Sequence, residues 1–214
     1  CELASGEGLT VVYHHHMGTV IQGEADLERL LAGVAPLRLL LDPGHLAFAG
    51  LDPVAVARRH AARIGHVHLK VADLERALGF WRDVLGFEVQ QRMGHAAVFL
   101  SAGGYHHHIA LNTWESRGGS PPPRQATGLY HVAILYPDRA ALATALKRVL
   151  AAGVPLEGAS DHGVSEAIYL RDPDGNGVEL YRDRPMDEWP RSADGELSMT
   201  LDPLDLAALL SEAP

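Results

Sequence analysis

A chain of 214 residues, 47% hydrophobic and 21% charged, is long enough for one sizeable core or two small domains of ordinary globular composition. A net charge of -9 without any basic run argues against binding nucleic acid or anionic membranes, and neither a transmembrane-length apolar stretch nor a signal-peptide pattern occurs. The single cysteine, Cys1, excludes an internal disulfide and makes a reducing cytoplasm the default compartment; a start at Cys reads as a fragment or a processed terminus.

In chain order, Leu9–Tyr13 is β-prone, Glu24–Leu31 has a helical apolar face at Leu27, Leu30 and Leu31, and Leu37–Leu41 is a buried-strand pattern ending at Asp42-Pro43-Gly44-His45. Asp52-Pro53 opens a helix to about Arg63, with Asp as N-cap and Pro in the first turn. Strands alternating with helices imply βαβ units and a parallel sheet.

The pattern changes after Ile64. His66–Val71 alternates like a strand, Asp73 caps a helix with apolar positions Leu74, Ala77, Leu78, Trp81 and Leu85, and Gly86 stops it. Strand patterns follow at Phe87–Gln91, Ala96–Leu100 and His107–Asn112, giving the order βαβββ. After a loop at Gly118–Thr127 the order recurs: a strand at His131–Leu135, a helix from Asp138 to Ala152, and strands near Leu156, at Glu166–Leu170 and at Gly177–Tyr181. A shift of 65 places His66 on His131, Asp73 on Asp138 and Leu85 on Leu150, so the chain contains an internal repeat. The expected fold class is α+β, with paired βαβββ modules at 64–118 and 128–183 preceded by a partial βαβα segment at 1–63. A tail at 184–214 carries Trp189 and a short amphipathic helix near Leu204–Leu210.

Each repeat opens with a histidine on its first strand, and the second ends with Glu179 beyond the turn Asp172-Pro173-Asp174-Gly175-Asn176-Gly177. A lone strand histidine is ordinarily a core or surface residue; its recurrence at the same place, together with a carboxylate, is what points to a metal. Two imidazoles and one carboxylate on one face of an ion leave the opposite positions open, the arrangement of non-haem Fe(II) oxygenases. His66, His131 and Glu179 are therefore the expected ligands. The 13 histidines include the triplets His14–His16 and His106–His108, and strand alternation would send His107 to one face and its neighbours to the other.

Ile64–Val71, Phe80–Phe87, Tyr130-His131-Val132 and Asp172–Leu180 resemble the vicinal-oxygen-chelate superfamily, which holds glyoxalases, fosfomycin-resistance proteins and extradiol ring-cleaving dioxygenases. Glyoxalases of this fold usually carry a fourth protein ligand at the end of the first module; aligning His108–Leu111 with Gly177–Leu180 puts Ala110 there, which cannot coordinate. The extradiol pattern implies a catalytic histidine three residues earlier, His107, a tyrosine ten residues before the carboxylate ligand, Tyr169, and a further histidine on the preceding loop, His162. On that resemblance Fe(II), with Mn, Zn or Ni as alternatives, would bind a catechol-like aromatic diol that reacts with O2. His107 would serve as acid/base, Tyr169 would hydrogen-bond a substrate oxygen and His162 would donate a proton. A homo-oligomer is compatible with the resemblance. The alternatives are a glyoxalase-like lyase or isomerase and a non-catalytic small-molecule-binding protein of the same fold.

Tyr13–Thr19, Leu41–Leu46 and Arg63–Lys70 resemble instead part of the inosose dehydratase and sugar isomerase/epimerase barrel. That resemblance implies Asp42 and His68 as metal-binding residues with His45 near substrate, but a closed barrel needs eight strands and this piece has about three. Ile64–Lys70 belongs to both patterns and is assigned to the paired module, which leaves a remnant upstream with exposed sheet edges.

Overall fold

The computed structural model describes residues 12–14, 21, 23–35, 37–41, 46, 49–52, 55–56, 59–60, 63–121, 123 and 129–214. Asp42, His45, His15 and His16 lie outside the described residues, as does half of the expected Asp52–Arg63 helix and half of the Gly118–Thr127 loop. At the described positions of that helix, Val56 N donates to Asp52 O and His60 N to Val56 O, which is helical spacing.

Two compact units form. The first spans residues 1–78 and 87–130 and is built on a six-stranded sheet. Its strands are β1 (Val12–His14), β2 (Arg38–Leu41), β3 (Ile64–Lys70), β4 (Glu88–Met93), β5 (Ala97–Ser101) and β6 (Ile109–Asn112), in the order β1-β2-β3-β6-β5-β4. The βαβββ order is present, with Leu74–Leu78 as its helix (α2) and Asp73 Oδ1 accepting from Arg76 N at 2.9 Å at its start.

The expected division at Ile64 falls inside this sheet. β3 pairs in parallel with β2 on one side and with β6 on the other, so one strand serves both patterns that were read as exclusive. The upstream residues also have a core of their own. Leu27 and Leu31 of α1 (Glu24–Gly33) pack with Leu37, Leu39, Leu41, Leu46 and Val56. Arg63 donates to the carbonyls of Leu37 (2.7 Å) and Val34 (2.8 Å), neutralising the end of α1 where helix carbonyls lack internal partners.

The second unit, residues 79–86 and 131–214, holds a five-stranded sheet. Its strands are β7 (Val132–Leu135), β8 (Leu156–Asp161), β9 (Ser165–Arg171), β10 (Gly177–Asp183) and β11 (Asp202–Pro203), in the order β11-β8-β9-β10-β7. Helix α3 (Arg139–Ala151) starts at Asp138, whose carboxylate accepts from Ala141 N at 2.7 Å, and buries Leu142, Ala145, Leu146 and Val149. Helix α4 (Leu206–Leu210), capped by Asp205, supplies the tail helix. Residues 79–84 depart from the continuous helix expected to Leu85. They form a π-helical turn in which Leu85 N donates to Phe80 O, five residues back. The turn buries Trp81, whose Nε1 donates to Asp172 Oδ2 at 3.3 Å. Gly86, at φ +85, ends it where any Cβ would meet the Arg148 guanidinium.

Candidate active site

Register makes the two modules comparable residue by residue. In the second, β10 lies parallel to β7 with Val178 opposite Val132 and Glu179 opposite Ala133, and antiparallel to β9 with Glu179 opposite Tyr169. In the first, β6 lies parallel to β3 with Ile109 opposite Val67 and Ala110 opposite His68, and antiparallel to β5 with Ala110 opposite Phe99. With Val67 equivalent to Val132, Ala110 stands at the register position of Glu179, and Phe99 at that of Tyr169.

In the second module strand alternation turns Val178, Leu180, Ile168 and Leu170 into the core and leaves Glu179 and Tyr169 half-buried on the other face. His131, immediately before β7, reaches the same face: its Nε2 lies 2.9 Å from Glu179 Oε2. Tyr169 Oη donates to Glu179 Oε1 at 3.1 Å and lies 2.8 Å from His162 Nε2. His162 occupies the turn between β8 and β9, and its Nδ1 faces the Thr200 carbonyl at 3.0 Å. A carbonyl only accepts, so Nδ1 carries a proton. Neutral His162 therefore presents a bare Nε2 to the tyrosine, and can donate there only as imidazolium. Burial alone would raise the Glu179 pKa; the hydrogen bonds and charges of His131, Tyr169 and His162 outweigh it and hold the carboxyl below its ordinary range.

In the first module His66 and His68 are buried on β3. His107 lies outside any strand: Gly103 and Gly104, at φ +72 and +76, carry the chain through a left-handed turn and β6 begins only at Ile109. The expected alternation therefore fails. The rings of His106 and His107 both lie against His66, with centroids at 4.9 and 4.7 Å, and their Nδ1 atoms are 2.8 Å apart. Burial carries His66 down to a pKa of about 4. Burial, with the neighbouring histidines, does the same to His107, also to about 4.

The donor set suits a divalent metal. The 2.9 Å between His131 Nε2 and Glu179 Oε2 is the spacing of two adjacent donors each about 2.0–2.2 Å from one ion. Both ring nitrogens of His66 are buried without a hydrogen-bond partner, as expected of an imidazole whose lone pair is reserved for a ligand. Thus His131, Glu179, Tyr169 and His162 come together within the second unit, and His66 and His107 within the first. His106 and the Thr200 carbonyl were not anticipated. The triplet hinted at the former, and a backbone oxygen on the tail leaves no mark in the sequence.

Residues 63–180 match the Glyoxalase/Bleomycin resistance protein/Dioxygenase superfamily. The chain belongs to this superfamily. Among relatives it is 44% identical to "Catechol-2,3-dioxygenase" of Bacillus subtilis (strain 168) over 151 residues, covering 70% of this chain and 52% of that protein. It is 46% identical to "Inosose dehydratase" of Geobacillus thermodenitrificans (strain NG80-2) over 78 residues, 36% of this chain and 26% of that protein. The chain thus spans about half the length of the first relative and about a quarter of the second. The two matched stretches together exceed the chain's length, so they share residues, as β3 shares its two sheet neighbours. Among solved structures, lactoylglutathione lyase from Agrobacterium tumefaciens is 26% identical, with a TM-score of 0.45 over 56% of this chain and 92% of that one. No helix among the described residues is long and apolar enough to cross a membrane.

Proposed function

We propose that this superfamily member is an Fe(II)-dependent extradiol dioxygenase acting on a catechol-like aromatic diol, with His66, His131 and Glu179 as metal ligands. The observation that carries it is the chain of contacts His131–Glu179–Tyr169–His162, which puts a carboxylate ligand, a phenol and a proton-exchanging imidazole in hydrogen-bonded sequence. The 44% identity to a catechol-2,3-dioxygenase supports it.

Fe(II), held by His66, His131 and Glu179, would supply Lewis acidity toward the diol and a redox route between the ring and dioxygen. Tyr169 Oη positions Glu179 and offers its hydroxyl to a substrate oxygen. His162, its Nδ1 proton fixed by the Thr200 carbonyl, receives a proton at Nε2 through Tyr169 and can return it there. His107, half-buried against Phe99 and the neighbouring imidazoles, accepts a proton from the diol. Residues 64–183 carry this chemistry, and the cytoplasm is the compartment we propose for it. A glyoxalase-like lyase with Mn, Zn or Ni is the second reading; Ala110, at the register position of Glu179, leaves it without a fourth protein ligand. Inosose-type chemistry rests on Asp42, outside the described residues.

The test is anaerobic reconstitution with Fe(II), then catechol and air, with His66→Ala and Glu179→Ala alongside. Yellow ring-cleavage product from the wild type, lost in both variants, is expected. Stoichiometric iron binding with no product from a broad catechol panel would overturn the reaction while keeping the ligands.

A further inference from the structure

We propose that His66, His106 and His107 form a second, nitrogen-only metal site inside the first module, selective for a cation of the Zn2+ or Cu2+ kind. Each residue offers one donor, and the three donor atoms lie within 4.8 Å of one another. Small ring rotations bring them to the roughly 3.3 Å separation of donors about 2.0–2.1 Å from a tetrahedral ion. Two of the three are already built for it. His66 is 2% exposed with both ring nitrogens unpartnered, and the buried Nε2 of His107 is likewise unpartnered. The third, His106, is exposed, which gives an ion a route in from solvent.

The surroundings hold these rings together. The Gly103-Gly104 turn brings His106 back to β3, and Tyr105 stacks on His66 at 5.6 Å with an interplanar angle of 8° while packing at 4.1 Å against His106. The donor chemistry sets the selectivity. The register position that holds a carboxylate in the second module holds Ala110 here, and the donor group brought together among the described residues is three imidazoles. Imidazole-only sites suit Zn2+, Cu2+ and Ni2+, whereas a carboxylate in the set moves preference toward Fe2+ and Mn2+. A neutral imidazole has one lone-pair nitrogen, so neutral His66 serves one ion at a time. Filling this site therefore withdraws His66 from the centre proposed above and blocks it. The site stands without the dioxygenase reading; only the competition for His66 rests on that reading.

The experiment uses the full chain, without a histidine tag, carrying His131→Gln and Glu179→Gln and titrated with Co2+ as a coloured stand-in for Zn2+. One equivalent should bind with the intense visible absorption of four-coordinate cobalt, and zinc should bleach it. Adding His106→Gln should weaken binding by at least about 10-fold. No cobalt binding in the double variant, or binding indifferent to His106→Gln, overturns the proposal. A second measurement keeps all other ligands: zinc should suppress Fe(II) uptake by the wild type, and do so at least about 10-fold less well in His106→Gln alone; equal suppression also overturns it. Cobalt bound through His106 in a protein that cleaves no catechol leaves this site standing and removes only the dioxygenase reading.

Discussion

The two modules have the same strand register and different chemistry. Where the first has His66, His68, Phe99 and Ala110, the second has His131, Ala133, Tyr169 and Glu179. Each thus keeps its histidine at the start of the first strand. Beyond that, one is lined with imidazoles and a phenyl ring and contains no anion at these positions. The other carries a carboxylate with a phenol and an imidazole bonded to it in series. Backbone pairing fixes only which positions share a face, and three substitutions then make one module's face nitrogen-rich and the other's anionic and hydrogen-bonded. A doubled fold thereby supplies two chemically unlike faces from one architecture.

The comparison breaks most severely at its anion. Glu179→Ala should lower Fe(II)-dependent ring cleavage by more than the 10–100-fold typical of losing a ligand's supporting partner, and iron retention after gel filtration should fall with it. Converting the first module toward the second is the reciprocal test. Ala110→Glu places a carboxylate at a position 2% exposed, so the apo protein should lose several kcal/mol in urea unfolding, and Zn2+ or Ni2+ should restore much of it.

The second module's own buried charge comes next. Glu166 is 3% exposed and receives Arg139 Nε at 2.9 Å and Arg182 Nε at 2.8 Å, with Arg184 Nη2 at 3.5 Å; Arg139 also pairs with Glu212. Removing it by Glu166→Ala leaves Arg182 without this carboxylate while Arg139 keeps Glu212 and Arg184 keeps Asp161, and should cost about 1.5–3 kcal/mol in denaturant unfolding, with metal affinity unchanged. Tyr169→Phe makes the second module's phenol into the first module's phenyl. It should lower kcat by about 10–100-fold while metal binding changes less, separating proton handling from ligation.

The smallest effect concerns Asp172. Burial raises its pKa despite hydrogen bonds from Asn176 and Trp81. A carboxyl raised on folding binds its proton more tightly in the native state. Its stabilising contribution is therefore full below the ordinary aspartate value of about 3.9 and is lost as pH rises through the raised value. Wild-type stability relative to Asp172→Asn should fall across that interval when followed by urea midpoints; a flat difference would show that the carboxyl titrates normally.

Much of this was legible because periodicity and caps are local. Asp73 and Asp138 begin their helices as residue type predicts, and the shift of 65 between His66 and His131 located both modules. In the second module Tyr169 and His162 were named by the family resemblance alone, and the register explains why Tyr169 meets Glu179, since residues on strands joined by a tight turn pair in fixed order. What escaped depends on tertiary choice. His106-His107-His108 reads as strand continuation, and only the two left-handed glycines before it reveal a turn. β11, a two-residue strand ending in Pro203, has no propensity signal and exists because it finds the edge of β8. The strand at Ile64–Lys70 was assigned to one pattern because a sequence match cannot show that a strand has two edges to pair.

The π-helical turn has a consequence for synthesis. Residues 79–86 are encoded in the middle of the first module yet belong to the second unit, where Trp81 reaches a partner 91 positions later in the chain. At about 5–20 residues per second, this tryptophan leaves the ribosome roughly 5–20 s before Asp172 exists to receive it. The nascent chain must keep a large indole from settling elsewhere for that interval, and the second unit, which includes residues 79–86, cannot be completed from residues 131–214 alone.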